Sequence, residues 1–280
     1  MRLRCAVLGV SLVTGCGLSH PQTGSVVSAG VGLATFETRT NATDLVDVDV
    51  LFPADESGHP LGSNLPALVF VQGGLVSAEQ YRWQAERLAA KGYVVALPLH
   101  LFELAFFQID NGAAAHRLLV APPASLLSGL VDDHKVAVAG HSLGGVVAVK
   151  LALEGLFQAL VLEASYPDTA DDASVASMTI PSLSLAGTLD CNAKLAVVEA
   201  GWAKLPSPTT LVELAGMTHY QFTGDQTPDE KANCLPDGTL DDAHARVATA
   251  LTSFLGTALE HRPVDTTTLS AISGATVQTR

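Results

Sequence analysis

Five short and almost uninterrupted apolar runs set the tightest limit on what this chain can fold into: Leu68–Val71, Tyr93–Leu97, Val136–Ala139, Ala159–Leu162 and Ser182–Ala186. A strand with one wet face alternates apolar and polar residues, whereas a run without alternation is covered on both faces. Thr210–Leu214 adds a sixth run. Segments with helical spacing lie between them. Glu79–Ala90 places Tyr81, Ala85, Leu88 and Ala89 on one face, with Gly92 as a C-terminal cap, and Asp241–Leu259 does the same with Val247, Ala250, Leu251 and Phe254. Buried strands alternating with helices over about 200 residues predict one α/β domain, with a mostly parallel central sheet and helices on both faces.

Ahead of the runs, Ala34–Val50 reads as two strands. The second alternates as Val46-Asp47-Val48-Asp49-Val50, the pattern of an antiparallel strand with one solvated face. Pro53–Pro66 is a turn-rich connector with Gly58, Pro60 and Gly62. No internal repeat or second composition regime is present, so the folded domain is expected over 34–260. Residues 261–280 are rich in Thr and Ser with little periodicity, and are expected to be a loosely ordered tail.

Charge removes one class of function. Fifteen Lys and Arg stand against 28 Asp and Glu, a net charge of −13, and no basic run occurs, which excludes nucleic acid as a partner. No apolar run reaches the ~18 residues of a membrane-spanning helix. The N-terminus instead has the layout of an export signal: Arg2 and Arg4, then the short apolar stretch Cys5–Val13. Its end, Leu12-Val13-Thr14-Gly15-Cys16, resembles the bacterial lipobox. That resemblance implies a signal peptide over 1–15, lipidation of Cys16, and a Gly/Ser-rich flexible tether over 16–33. The chain would be an exported lipoprotein on a membrane surface. Gly17 after the cysteine favours the outer membrane or cell surface. The alternative is a simple signal peptide with a coincidental cysteine.

The motif that carries chemistry is Gly140-His141-Ser142-Leu143-Gly144, between the strand Val136–Ala139 and the apolar helix Gly145–Leu153. This is a Gly-x-Ser-x-Gly nucleophile elbow in its strand–turn–helix setting. The glycines leave room for a tight turn that lifts the serine above the sheet, and the Leu143 amide sits at a helix N-terminus, where it can donate to an oxyanion. Downstream, Asp190 follows the strand Ser182–Ala186 and His219 follows Thr210–Leu214, both at the C-terminal edge of a parallel sheet where such sites assemble. Glu163 and Asp168, after Ala159–Leu162, are competing acids.

From about Leu51 to Leu259 the chain resembles the α/β-hydrolase superfamily, closest in layout to the lidless chlorophyllase, cutinase-like and dienelactone-hydrolase-like esterases. The resemblance implies a Ser-His-Asp triad in which Ser142 attacks an acyl carbon, His219 moves the proton and Asp190 orients the imidazole. It implies a second oxyanion donor after Leu68–Val71, within Gln72-Gly73-Gly74-Leu75: the amide of Leu75 first, then Gly74. The family often has His-Gly where this chain has Gln72-Gly73. A Ser nucleophile excludes haloalkane dehalogenases and epoxide hydrolases, which use Asp, and true dienelactone hydrolases, which use Cys. The expected reaction is hydrolysis of a carboxylic ester, with acyl transfer, lipase or amidase activity as alternatives, and a catalytically silent binding lipoprotein as the alternative from another class.

Cys191 and Cys234 flank the acid and base, so a disulfide between them would join those two loops in an exported protein; two unpaired thiols are the alternative. The segment Tyr166–Thr179 is too short for a large cap domain and predicts an open cleft. Leu101, Phe102, Leu104, Phe106 and Phe107 could line an acyl pocket or pack beneath a loop. His141 is expected to point away from the reacting centre. His100, His116, His134 and His244 lack metal-ligand spacing, so no metal is expected. The acidic pairs Asp132/Asp133, Asp171/Asp172 and Asp241/Asp242 read as solvated faces or helix starts, with calcium binding as the alternative, and Asn41-Ala42-Thr43 as a sequon without meaning in a lipoprotein. No cofactor-binding motif occurs, and the chemistry requires none.

Overall fold

The computed structural model describes residues 20–42, 44–100, 103–105, 109–168, 172–224 and 234–280. The lipobox with Cys16, and Leu101, Phe102, Phe106, Phe107, Thr43 and Asp171, lie outside these residues. Among the described residues ten strands form one sheet: β1 Ser25–Ser28, β2 Val31–Arg39, β3 Leu45–Pro53, β4 Leu65–Val71, β5 Val94–Pro98, β6 Val131–His141, β7 Ala159–Glu163, β8 Ser182–Gly187, β9 Thr209–Leu214 and β10 Ala275–Thr279. Their order is β1-β2-β3-β5-β4-β6-β7-β8-β9-β10. The block β5-β4-β6-β7-β8-β9 is parallel, and the antiparallel strands lie at the two edges.

Each apolar run is a strand of the parallel block, and β5, β7 and β8 are buried at every residue. In β3, Val46, Val48 and Val50 are buried while Leu45 and Asp47 face solvent, as the alternation requires. The helices α1 Arg82–Ala89 and α6 Leu240–Ala258 pack together, and α2 Asp110–Val120 and α3 Leu143–Leu153 form a second pair. Helix α3 is apolar almost all round because it is covered almost all round: only Leu143, Lys150 and Leu153 escape full burial. Between β7 and β8 the described residues hold only the five-residue α4 Asp172–Ala176, and α5 Leu195–Trp202 packs on β8 and β9.

Two boundaries need correction. The tail 261–280 is not loose: it forms α7 Thr266–Ser270 and β10, which pairs with β9 from Thr210 to Leu214. Asp265 caps α7 by accepting from the amides of Thr267 and Thr268, both at 3.1 Å. The Arg280 guanidinium donates to the carbonyls of Trp202, Ala203 and Leu205 at the end of α5 and lies over the Trp202 ring. The physical reason is the free edge of β9, whose backbone groups need partners.

Likewise, the tether 16–33 is partly sheet: β1 and the start of β2 lie inside it. The glycines read there as flexibility serve close packing. A Cβ on Gly24 or Gly32 would meet the Phe52 ring at 2.6 or 2.7 Å, and Gly24 N–H donates to the Gly58 carbonyl at 2.9 Å.

Candidate active site

Ser142 occupies the turn from β6 into α3 with φ 53° and ψ −124°, a conformation that strains any residue with a Cβ. The turn can be this tight only because its glycines are bare. A Cβ on Gly140 would strike the Gly144 carbonyl, and one on Gly144 would strike the carbonyls of Val71 and Gln72. Two hydrogen bonds hold the strained unit: Ser142 N–H to the Glu163 carbonyl at 2.9 Å, and Ser165 Oγ–H to the Ser142 carbonyl at 2.6 Å. Leu143 begins α3, so its N–H belongs to the first turn and has no intrahelical acceptor.

Asp190 and His219 come from neighbouring loops at the ends of β8 and β9. Asp190 Oδ1 accepts from the amides of Asn192 and Ala193, both at 2.7 Å, which leaves Oδ2 to accept from His219 Nδ1 at 2.8 Å. The side chain of Asp190 is fully buried and that of His219 nearly so. A carboxylate only accepts, so the proton of neutral His219 sits on Nδ1 and Nε2 is left with a free lone pair. His219 opens the 3-10 turn His219–Phe222, fixed by a capping box between Thr218 and Gln221. The loops that carry Asp190 and His219 are also interlocked: Leu189 N–H donates to the Met217 carbonyl at 2.9 Å and Gly216 N–H to Thr188 Oγ1 at 3.0 Å. Cys191 and Cys234 form a disulfide with 6.0 Å between their Cα atoms, tying the residue after Asp190 to the segment that leads into α6.

Ser142 and His219 line one pocket of about 200 Å³ together with Leu143, Tyr166, Asp168 and Asn192. Their side chains share this space without a hydrogen bond between them, a contact that in hydrolases often closes only around substrate. A cavity of about 450 Å³ along Pro167, Val197, Ala200 and Gly201 shares Tyr166 and Asp168 with it, and one of about 390 Å³ lies along Gly74–Ser77, Gln80 and Tyr220. The apolar side chains of Leu75 and Leu143, 75% and 47% exposed, stand at this rim.

The competing acids separate cleanly. Glu163 is fully buried and turned towards α1, where Gln84 Nε2 donates to both its oxygens at 2.8 and 2.9 Å. Burial pushes its pKa up to about 8 against the pull of Gln84, which favours the protonated form. Asp168 lines the pocket and makes no bond to His219. Asp190 alone of the three touches the imidazole.

The expected oxyanion donors need one correction. The Leu75 amide, preferred from the sequence, already donates to the Glu103 carbonyl at 2.9 Å. Gly74 N–H has no acceptor among the described residues, and a Cβ on Gly74 would meet Leu143 Cδ1 at 2.6 Å. Gly74 therefore stands beside Leu143 with its amide unused, whereas the Leu75 amide preferred from the sequence is already taken.

Sequence reasoning missed the partners beneath the site. His141 does point inward, but to a specific set of neighbours: Tyr81 Oη lies 2.9 Å from Nδ1 and the His219 carbonyl 3.2 Å from Nε2. Tyr81 counted only as an apolar-face residue, although a buried tyrosine needs a partner for its hydroxyl. Three of the other histidines singled out from the sequence have packing roles. His244 stacks on Trp83, His116 meets the edge of Phe157, and His100 lies against Gln72, where burial lowers its pKa to about 4. His134 pairs with Asp133 at the surface. Among the described residues no group of three or more His, Cys, Asp or Glu side chains could hold a metal ion. Leu104 is half-buried.

A mostly parallel sheet carrying a serine in a strained turn at the end of a central strand, with an Asp–His pair on neighbouring strand ends, defines a class. The chain belongs to the alpha/beta hydrolase family, whose model matches residues 67–237, more than half of its length. Over 172 residues it is 29% identical to "Cutinase 1" of Thermobifida cellulosilytica, covering 58% of this chain and 63% of that protein. It is also 29% identical over 172 residues to "Cutinase" of Thermobifida fusca (strain YX), covering 58% and 55%. The matched region spans less than two thirds of either relative's length.

Proposed function

We propose that the chain is a serine hydrolase that cleaves carboxylic esters through an acyl-enzyme, with Ser142 as nucleophile, His219 as general base and acid, and Asp190 as its orienting carboxylate. The observation that carries this reading is the 2.8 Å contact from His219 Nδ1 to Asp190 Oδ2 beside a pocket that Ser142 shares. His219 Nε2 takes the Ser142 proton as Oγ attacks the acyl carbon. The negative charge that develops on the former carbonyl oxygen is met by the N–H groups of Leu143 and Gly74. Collapse expels the alcohol, protonated by His219, and water then releases the acid by the same route in reverse. The cutinases to which the chain is similar support an ester as substrate. The apolar rim at Leu75 and Leu143 favours a hydrophobic one.

Labelling with a fluorophosphonate probe tests the reading without a guess at the substrate. Peptide mapping is expected to place the label on Ser142 alone and to find none in Ser142→Ala. A folded wild-type protein that takes no label would overturn it. A panel of esters from acetyl to long acyl then sets the chain length accepted. Attachment to a membrane through a lipidated Cys16 is a separate proposal, resting on the lipobox-like peptide. Mass spectrometry of the mature N-terminus decides it, and an unmodified Cys16 would remove it.

A further inference from the structure

Three loops must hold their places for the proposed reaction: the oxyanion strand end at Gly73-Gly74, the nucleophile turn at His141-Ser142, and the base loop at His219. None is adjacent to another in sequence, yet one buried hydrogen-bonded chain touches all three. Gly73 N–H donates to Tyr81 Oη at 3.0 Å, Tyr81 Oη lies 2.9 Å from His141 Nδ1, and His141 Nε2 lies 3.2 Å from the His219 carbonyl. Tyr81 and His141 are both fully buried.

The chain has only one self-consistent direction. Its first member is a backbone N–H, which can only donate, and its last is a carbonyl, which can only accept. His141 must therefore carry its proton on Nε2, its Nδ1 must accept, and Tyr81 must donate. Every polar atom along the path is then satisfied once, which a buried polar network requires. Burial holds Tyr81 in its protonated form, and burial with the nearby His219 ring keeps His141 neutral. Gly73 is fitted to the arrangement: a Cβ there would lie 2.9 Å from both His141 Nδ1 and Tyr81 Oη. The aromatic neighbours fix the rings, with Phe70 4.7 Å from Tyr81 and Phe222 5.7 Å from His141 between ring centres.

We propose that Tyr81 and His141 are positioning residues, a buried relay that sets the spacing between the oxyanion amide of Gly74, the nucleophile Ser142 and the base His219. The inference rests on the hydrolase reading above. Tyr81 acts through the Gly73 backbone and through His141, and His141 acts on the base loop both through the His219 carbonyl and by packing against the His219 ring, 4.6 Å between ring centres. The geometry those loops share is what a transition state senses most steeply.

The test uses the full chain, a p-nitrophenyl ester, and active-site concentration counted by fluorophosphonate titration. Tyr81→Phe keeps the ring and removes both hydrogen bonds. It is expected to lower kcat per labelled site by about 10- to 100-fold while KM moves by less than about 3-fold. His141→Phe is expected to do the same, and the double variant to be no worse than His141→Phe, because either change breaks the one chain. His141→Gln, which offers an acceptor and a donor again, is expected to recover most of the kcat lost in His141→Phe. A merely structural role lowers the melting temperature and leaves kcat per labelled site unchanged, and that result in Tyr81→Phe overturns the inference. Should Tyr81→Phe or His141→Phe not fold, His141→Gln is compared with His141→Leu, and equal kcat per site in these two overturns it as well. A folded wild type that neither labels nor turns over ester removes the hydrolase reading and this inference together, whereas an active wild type with an unimpaired Tyr81→Phe removes the inference alone.

Discussion

Asp190 spends one carboxylate oxygen on its own loop and the other on His219: Oδ1 takes the amides of Asn192 and Ala193, and Oδ2 takes His219 Nδ1 at 2.8 Å. An acid pinned by two backbone donors presents its second oxygen in one direction, so the imidazole it orients is pinned too. A nearby carboxyl is held elsewhere. Glu163 ends the strand next to β6, yet its side chain is enclosed by Gln84 on the opposite side of the turn.

The first prediction separates these two acids. Asp190→Asn is expected to reduce kcat by ~10³- to 10⁴-fold, since an amide neither holds the Nδ1–H tautomer nor balances the imidazolium formed during attack. Glu163→Gln is expected to stay within a few-fold of wild type. Steady-state hydrolysis of one activated ester by both variants decides it, and a reversed order would transfer the acid's role to Glu163.

A second prediction concerns the Cys191–Cys234 bond, which closes a loop with a sequence separation of 43. In the chain-entropy model a closure of this length contributes about 4 kcal/mol. The double substitution Cys191→Ser, Cys234→Ser is therefore expected to lower the melting temperature by roughly 10 °C. Activity at 25 °C should persist, because the Asn192 and Ala193 amides and the Leu189–Met217 bond hold Asp190 without the disulfide. Calorimetry beside an ester assay reads both halves. Loss of activity in a folded variant would mean that the disulfide itself orients Asp190.

The oxyanion donors yield a third prediction. Replacing a single backbone amide by an ester linkage deletes one N–H and leaves side chains alone. At residue 74 this is expected to lower kcat by ~10²- to 10³-fold. At residue 75, whose N–H is already held by the Glu103 carbonyl, the change is expected to affect stability more than turnover. The opposite ranking would return the donor to Leu75.

How much of this was legible in the sequence follows from where the determining contacts lie. Strands β4 to β9 announce themselves because a strand covered on both faces must be apolar throughout, and Val46-Asp47-Val48-Asp49-Val50 announces its one wet face. The elbow is legible because Gly140 and Gly144 are demanded by contacts within and beside their own turn. By contrast, β10 has a burial pattern with no fully buried residue, and its reason for forming is the edge of β9, more than sixty residues earlier. Gly24 and Gly32 look like a linker until Phe52 is placed over them. The resemblance points to Leu75 as donor, and that its N–H is taken by the Glu103 carbonyl, brought back by another loop, is not legible locally. Tyr81 and His141 fall in the same class: each has an unremarkable local pattern and a partner supplied from far along the chain.

The last prediction turns on the Glu163 carboxyl, whose pKa burial raises from 4.5 to about 8. Below about pH 4.5 folded and unfolded chains both hold the proton. Between 4.5 and about 8 the folded state keeps a proton that the unfolded state has released, so this group's contribution to stability falls as pH rises through that window, and above it changes no further. Glu163→Gln removes the titration and offers an N–H₂ to Gln84 Oε1, which is buried without a partner among the described residues of the wild type. The variant is therefore expected to gain stability over wild type between pH 5 and pH 8, by up to a few kcal/mol at the upper end. Buried histidines such as His100, whose pKa is lowered to about 4, titrate in the opposite sense, gaining stability for the fold as pH rises to their unfolded value. They are present in both proteins, so the difference between variant and wild type isolates Glu163. Urea unfolding at pH 5, 6.5 and 8 measures it, and a difference that stays constant across the three would show that Glu163 is ionised in the fold throughout.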